Sequence, residues 1–148
     1  MQTSLKGIQL IEGFEGLRNE PYDDGAGNMT IGYGHKLLPT DAIPSYISQA
    51  EADFLLRQDL RRTEIAIYRN VKVPLNQNQY DALVSFIFNL GTMPFTKGFG
   101  RLLNSGDYEG AAARMPLYDK MTVNGELIEV EGLKNRRLAE QQLFLTEA

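Results

Sequence analysis

Apolar residues recur every three positions at the start of the chain, at Leu5, Ile8, Ile11, Phe14 and Leu17. This spacing lines them up on one face of a helix of about four turns. The pattern therefore predicts an amphipathic helix that ends near Arg18 and carries Glu15 in its last turn.

A turn-rich segment, PYDDGAGNMTIGYGHKL, follows this helix. It begins with a proline, passes through an Asp-Gly-Ala-Gly-Asn turn and continues into a β-rich second arm. These features are typical of a β-hairpin. Such a hairpin has Asp24 at the end of its first arm and Thr30 on the returning arm.

Two longer helices are predicted next. Ser48 and Glu51 have the spacing of a capping box, and the apolar positions that follow trace one helix face to about Tyr68. At 1.5 Å per residue this helix is roughly 30 Å long. Pro74 and Asn76 then precede ALVSFIFNLG, a segment that is apolar nearly all round. It predicts a central buried helix whose neighbours are other helices.

The remaining elements are short. The pattern predicts helices over 95–104 and 107–114, a hairpin turn at Val123-Asn124-Gly125-Glu126 and a last helix over 133–145. We therefore expect an α+β fold that is mostly helical, with a small antiparallel sheet in an N-terminal lobe and a long helix linking it to a helical C-terminal lobe. The expected arrangement is one domain over residues 1–148, with a cleft between the lobes where ligands tend to bind.

Composition excludes several classes of function. The 148 residues, 43% of them hydrophobic, suffice for one core. No cysteine is present, which excludes disulfides, thiol nucleophiles and metal thiolates. The net charge of −4 argues against strong binding to nucleic acid or to an anionic membrane, because both need Lys and Arg to neutralise phosphates. We expect neither membrane insertion nor an export signal, since no run approaches the roughly 18 apolar residues of a membrane span.

Glu15, Asp24 and Thr30 are the residues with the most chemical interest. Glycoside hydrolysis usually needs two carboxyl groups that flank the scissile bond, and a hydroxyl can hold water as both donor and acceptor. The turn after Asp24 can fold this carboxylate back toward Glu15. The alternative is that both acids are solvated residues at a helix end and a turn, because the chain has 19 acidic residues and hence many such pairs.

The segment EGLRNEPYDDGAGNMTIGYGH resembles the signature of the phage lysozyme family, the T-even phage endolysin type of glycoside hydrolase. That family separates its catalytic Glu, Asp and Thr by eight and then five residues, and Glu15, Asp24 and Thr30 have this spacing. The segments DALVSFIFNLG and GLKNRRLAEQQLF are similar to the buried central helix and the closing Arg-rich helix of the family. Residues 115–130 depart from it, because they contain no Trp.

The resemblance implies a lysozyme-like fold and a muramidase mechanism. Glu15 would be the general acid that protonates the glycosidic oxygen between N-acetylmuramic acid and N-acetylglucosamine. Asp24 would act from the opposite side on a water that Thr30 positions, with inversion at the anomeric carbon. No cofactor or metal is implied.

The resemblance also implies roles for residues outside this triad. Substrate contacts are expected at the five positions Tyr33, Gly34, Phe88, Asn89 and Arg136, and Arg136 is further expected to pair with the catalytic Glu. Core packing is the alternative for Phe88, and a place on a basic helix surface is the alternative for Arg136. His35, the only histidine, is expected to form a structural ion pair with Asp59, and the alternative is a role as an acid-base residue.

Two other functions remain open at this stage. A lytic transglycosylase would cut the same bond without an activated water, and a catalytically silent wall-binding component of a virion would not cut it. A transglycosylase does not need Asp24 and Thr30, so their presence argues against it. The absence of Trp disfavours a sugar-stacking platform and so argues against the wall-binding component. We expect a monomer that acts on peptidoglycan glycan strands. It would stay in the host bacterial cytoplasm until a separate holin permeabilises the membrane.

Overall fold

The computed structural model describes residues 1–148 as six α-helices, two small antiparallel sheets and two short 3-10 helices, which confirms the predicted α+β class. The helices are α1 (Leu5–Glu15), α2 (Gln49–Asn70), α3 (Gln77–Leu90), α4 (Gly98–Asn104), α5 (Tyr108–Arg114) and α6 (Glu131–Leu145). The strands are β1 (Arg18–Asp23), β2 (Met29–Gly32), β3 (His35–Lys36), β4 (Lys120–Val123) and β5 (Glu126–Glu129). None of the helices combines the length and the apolar character required to span a bilayer.

The chain forms two compact units. The first, called the sheet unit here, is Ile8–Arg62; the second, called the helical unit, comprises Met1–Gly7 and Thr63–Ala148. In the sheet unit Ile8 and Ile11 are fully buried, as the apolar spacing predicts. Helix α1 ends at Glu15 rather than near Arg18, because Gly16 adopts a left-handed φ of 74° that a helix cannot continue through.

The three-stranded sheet has the order β1-β2-β3 with antiparallel pairing throughout. Tyr22 pairs with Thr30 in this register. The pairing of β1 is irregular between Arg18 and Tyr22, where Pro21 has no N–H to donate to the ladder. The guanidinium of Arg18 lies 4.2 Å from the centre of the Tyr22 ring. The predicted hairpin is therefore confirmed and carries a third, very short strand.

Helix α2 begins with the predicted capping box. The Ser48 N–H donates to Glu51 Oε1 at 3.0 Å, and the Glu51 N–H donates to Ser48 Oγ at 3.1 Å. Further along the helix, Asp59 accepts from His35 Nδ1 at 2.9 Å, with exposed side-chain fractions of 27% and 22%. This ion pair connects β3 to α2 and confirms the structural role expected for His35.

In the helical unit, α3 is the buried central helix that the sequence predicts. Asn76 and Gln79 cap its first turn reciprocally, and nine of its residues, from Asn78 to Ile87, are buried. The helix packs mainly along α6. The Phe86 ring contacts Phe99 at 4.9 Å between ring centres.

Two of the shorter elements differ from the prediction. The helix expected over 95–104 starts only at Gly98, because Met93–Thr96 forms a 3-10 turn and Lys97 is extended between the two. The last helix begins two residues earlier than expected, at Glu131. The hairpin of β4 and β5 around Asn124 and Gly125 is as predicted, with both residues at the positive φ that a two-residue turn requires.

A charged cluster is buried in the helical unit, between α3 and α6. Arg137 and Glu140 are fully buried, and Arg137 Nη2 donates to Glu140 Oε2 at 3.2 Å. Arg137 Nε lies 2.7 Å from Glu140 Oε1, but its N–H is not aligned with that oxygen, so this contact is electrostatic. Ser85 Oγ donates to Glu140 Oε2 at 2.5 Å. Burial raises the pKa of Glu140, and the charge of Arg137 opposes that shift.

We expect His35→Asn to lower the free energy of unfolding by about 1–3 kcal/mol. The loss is smaller than the 3–5 kcal/mol typical of breaking a fully buried pair, since both partners are partly exposed. Urea unfolding of His35→Asn, Asp59→Asn and the double variant measures the coupling directly. Strictly additive effects would show that the two side chains do not stabilise each other.

We expect Glu140→Gln to lower the free energy of unfolding by about 3–5 kcal/mol, because it leaves the buried Arg137 without its counter-charge. The matched control is Glu129→Gln, which removes an exposed carboxylate 3.3 Å from Lys134. This surface change should stay within about 0.5 kcal/mol of the parent. Equal effects of the two substitutions in thermal unfolding would contradict the buried-charge account.

Candidate active site

Glu15 is the last residue of α1, and its carboxyl group lies against the backbone of Gly34. A Cβ atom added to Gly34 would be 3.2 Å from Glu15 Oε1, and Gly34 has a φ of 80°. The positive φ favours glycine at this position, and a Cβ atom there would crowd the Glu15 carboxyl group. The turn after β2 therefore forms one boundary of the space around Glu15, which is half-buried.

Asp24 lies in the turn between β1 and β2 and is exposed to solvent. Its Oδ1 accepts from the N–H groups of Ala26 at 2.8 Å and Asn28 at 3.1 Å, and its Oδ2 accepts from Asn28 Nδ2 at 3.2 Å. The backbone N–H of Ala26, followed by that of Asn28, lowers the pKa of Asp24 below its ordinary value. Asp24 is thus a carboxylate with a fixed orientation.

Thr30 stands on β2, and only 3% of it is exposed. Its Oγ1 donates to the carbonyl oxygen of Asn28 at 3.4 Å, and the same carbonyl accepts from the Asp24 N–H at 3.0 Å. Asn28 therefore connects the carboxylate of Asp24 to the hydroxyl of Thr30 through its own backbone. Thr30 and Gly34 are four positions apart in the chain, so their Cα atoms are at most about 14 Å apart.

Tyr33 is 5% exposed, and burial raises the pKa of its hydroxyl group. Burial, followed by the neighbouring Asp53 carboxyl group, raises the pKa of Glu12. The sequence analysis did not single out Glu12. Its spacing of three residues before Glu15 is a signal that was available, because residues so spaced share a helix face.

Three of the expected site residues lie in the helical unit. Phe88 is half-buried and Asn89 is exposed, both in the last turn of α3. Arg136 is 4% exposed, which excludes the alternative that it occupies a basic surface. Its Nε donates to Glu140 Oε2 at 3.2 Å, and its Nη2 donates to the Ser85 carbonyl oxygen at 3.2 Å. These bonds anchor part of its guanidinium within the buried cluster.

No group of three or more His, Cys, Asp or Glu side chains is arranged to hold a metal ion. The groups that Glu15, Asp24 and Thr30 bring to the sheet unit are carboxyl and hydroxyl groups. Glu15 offers a half-buried carboxyl group, and Asp24 offers an oriented carboxylate tied to Thr30. This set is the one that acid-assisted hydrolysis of a glycoside requires.

Comparison with known proteins gives consistent matches over the whole chain. The chain is 42% identical over 145 residues to an endolysin of Acyrthosiphon pisum secondary endosymbiont phage 1, covering 97% of this chain and 98% of that one. It is 39% identical over 150 residues to the endolysin of Salmonella phage P22, covering 99% of each. The muramidase domain of SpmX from Asticaccaulis excentricus has the same fold, with a TM-score of 0.90, 37% identity and 99% of each chain covered.

A protein-family model also matches most of the chain. The model described as Phage lysozyme matches residues 12–140, which include Glu15, Asp24 and Thr30. Lysozymes are glycoside hydrolases, so the protein is an enzyme of that class. On its sequence, its fold and the extent of this match, the chain belongs to the phage lysozyme family.

Proposed function

We propose that the protein is an endolysin that hydrolyses the β-1,4 bond between N-acetylmuramic acid and N-acetylglucosamine in bacterial peptidoglycan. In this proposal Glu15 is the general acid, and Asp24 and Thr30 direct the attacking water. The relatives named endolysin and the muramidase domain support the substrate class. Dependence on a holin and a monomeric state stay predictions.

The observation that carries the proposal is the shared hydrogen bonding of Asp24, Asn28 and Thr30. The N–H of Asn28 donates to the Asp24 carboxylate, and its carbonyl accepts from the Thr30 hydroxyl. One turn thereby sets the positions of a carboxylate and a hydroxyl in the same unit that contains Glu15. A carboxylate and a hydroxyl that are fixed relative to each other can hold one water by two hydrogen bonds.

The hydrogen bonds that orient the Asp24 carboxylate, together with its lowered pKa, support a role in orienting the water. A weak base accepts a proton poorly before bond cleavage has begun. Asp24 instead orients the water and stabilises the oxocarbenium-like charge that develops at the anomeric carbon. The water transfers its proton to Asp24 only as the water oxygen bonds to the anomeric carbon.

Glu15 supplies the proton on the leaving-group side. Its carboxyl group is half-buried and is bounded by the Gly34 backbone, which brings no side chain into the space around it. A glycosidic oxygen can approach such a carboxyl group closely. Protonation of that oxygen makes the departing sugar a neutral alcohol and lowers the barrier to cleavage.

The glycan contact proposed for Tyr33 and Gly34 is made by backbone. Because the Tyr33 ring is buried, the Tyr33–Gly34 backbone is the part that a sugar would meet. The exposed amide of Asn89 suits an acetamido group, and the half-buried Phe88 offers an apolar edge. Arg136 is proposed as an anchored positive charge for an anionic group of the substrate.

We expect Glu15→Gln to lower the rate of peptidoglycan clearing by about 10²–10⁴, because it removes the proton donor with little change in shape. The melting temperature should stay close to that of the parent. Glu20→Gln is the matched control, since it neutralises an exposed carboxylate on β1. A Glu15→Gln variant that clears cell walls at more than a tenth of the parent rate would show that Glu15 is not the acid.

We expect the products to carry reducing muramic acid ends with inverted anomeric configuration. NMR spectra taken early in the digestion of purified peptidoglycan detect the anomer before it equilibrates. Ends with a 1,6-anhydro bond would identify a lytic transglycosylase, and retained configuration would identify a double displacement. Either product would rule out direct attack by a water that Asp24 and Thr30 hold. No cleavage at all would favour a silent wall-binding role.

A further inference from the structure

Tyr22 stands beside Thr30 on one face of the three-stranded sheet. The two residues are direct partners in the antiparallel register of β1 and β2. Such partners project from the same face of a sheet, with their Cβ atoms about 4.5–5.5 Å apart. On the opposite side, in β3, the partner of Thr30 is Lys36. The Thr30 side chain is therefore flanked by Tyr22 and by Lys36.

The Arg18 guanidinium lies over the Tyr22 ring, 4.2 Å from its centre. Between these two residues β1 advances four positions, while the paired stretch of β2, from Gly32 to Thr30, advances two. Extra residues of this kind bend a strand and re-aim its side chains. In a regular strand the two residues would lie about 13 Å apart along the chain. The irregular pairing of β1 thus helps to bring a cation onto the ring that neighbours Thr30.

The Thr30 hydroxyl depends on packing for its orientation. The hydrogen bond that it donates to the Asn28 carbonyl oxygen is 3.4 Å long, against roughly 2.5–3.0 Å for a typical hydroxyl donor. Thr30 is only 3% exposed, so other protein groups occupy most of the space around it. A β-branched side chain that is packed in this way is restricted at χ1. The neighbours of Thr30 consequently decide where its hydroxyl points.

Of the two flanking side chains, Tyr22 is the one suited to hold Thr30. Lys36 is exposed, and a solvated lysine samples many rotamers. Tyr22 is half-buried, and its rigid ring is further restrained by the stacked guanidinium of Arg18. The ring is therefore a fixed wall on one side of Thr30.

We propose that Tyr22 is a positioning residue for Thr30, and that Arg18 acts through Tyr22 by fixing its ring. The inference rests on the proposed role of Thr30 in directing the attacking water. A Thr30 hydroxyl held in one rotamer keeps the water at one position, whereas a hydroxyl that exchanges between rotamers holds the water there only part of the time. Tyr22 therefore contributes to kcat and not to substrate binding.

The first test measures the Thr30 rotamer by NMR on the full chain. Three-bond couplings of the Thr30 methyl carbon to backbone nitrogen and carbonyl carbon report χ1. We expect one rotamer in the parent and in Tyr22→Phe, which keeps the ring, and averaged couplings in Tyr22→Leu, which removes it. Tyr68→Leu is the matched control, because Tyr68 is 86% exposed on α2. Unchanged Thr30 couplings in Tyr22→Leu would contradict the proposal.

The second test is kinetic, with purified peptidoglycan as the substrate. Tyr22→Leu should lower kcat about tenfold and leave KM within about twofold of the parent, a loss typical of a misplaced catalytic group. In a Thr30→Ala background the same substitution should not lower kcat further, because it acts only through Thr30. A tenfold loss that repeats in that background would contradict the proposal. So would a Tyr22→Phe variant as slow as Tyr22→Leu, since the hydroxyl would then be the active part.

Arg18→Gln tests the outer contact and decides the matter even where Tyr22→Leu does not fold. Arg18 is exposed, and a cation–π contact at such a site is worth about a two- to fivefold effect, so kcat should fall by that factor and the Thr30 couplings should shift toward averaging. The control Arg61→Gln, at an exposed arginine on α2, should change neither quantity. Parent values in Arg18→Gln would contradict the proposal.

The same variants separate this inference from the proposed function. If Thr30→Ala keeps the parent kcat, Thr30 does not direct the water and the proposed function fails. The Thr30 couplings in Tyr22→Leu do not depend on activity, so they still decide whether Tyr22 holds Thr30.

Discussion

The close approach of the Gly34 backbone to the Glu15 carboxyl group is the constraint on which the candidate site depends. A Cβ at residue 34 would lie 3.2 Å from Glu15 Oε1, and a φ of 80° disfavours any side chain there. The Glu15 side chain at the end of α1 therefore packs against the backbone of the turn after β2. In the proposed function, the space through which a sugar oxygen reaches Glu15 is bounded on this side by peptide groups, which do not move between rotamers.

Glu15 and Asp24 differ in what surrounds them, and this difference supports the separate roles proposed for them. Asp24 is exposed, and N–H donors from its own turn lower its pKa, so it remains a charged and oriented acceptor. Glu15 is half-buried at a helix end next to glycine. Hydrogen bonds to the charged form organise the Asp24 carboxylate, while Glu15 is the group proposed to deliver a proton to a bound oxygen.

Buried charged side chains fix one another's positions in the helical unit. Arg137 and Glu140 are fully buried, and Arg136 is bound to Glu140 and Ser85. Burying these groups costs solvation, which only their mutual contacts offset. The guanidinium of Arg136 consequently has a fixed position at the start of α6, where a surface arginine would sample many rotamers.

The sequence by itself determined the features that depend on nearby residues. Helix periodicity, the Ser48–Glu51 capping box, the hairpin containing Asp24 and Thr30, and the Asn124-Gly125 turn all follow from side chains a few positions apart. The spacing of Glu15, Asp24 and Thr30 could be matched to a family because it is likewise a property of the linear chain.

Only the tertiary structure decided which groups share a cavity or a buried charge. Glu12 and Asp53, which line one cavity, are 41 positions apart, and Ser85 and Glu140, which hydrogen-bond, are 55 apart, so no local pattern indicates either pairing. The burial of Arg136 could not be predicted from the sequence pattern either, because the apolar positions of α6 do not place an arginine in the interior. Desolvation and hydrogen bonding at such sites are set by which elements pack together, and that packing is a property of the folded chain as a whole.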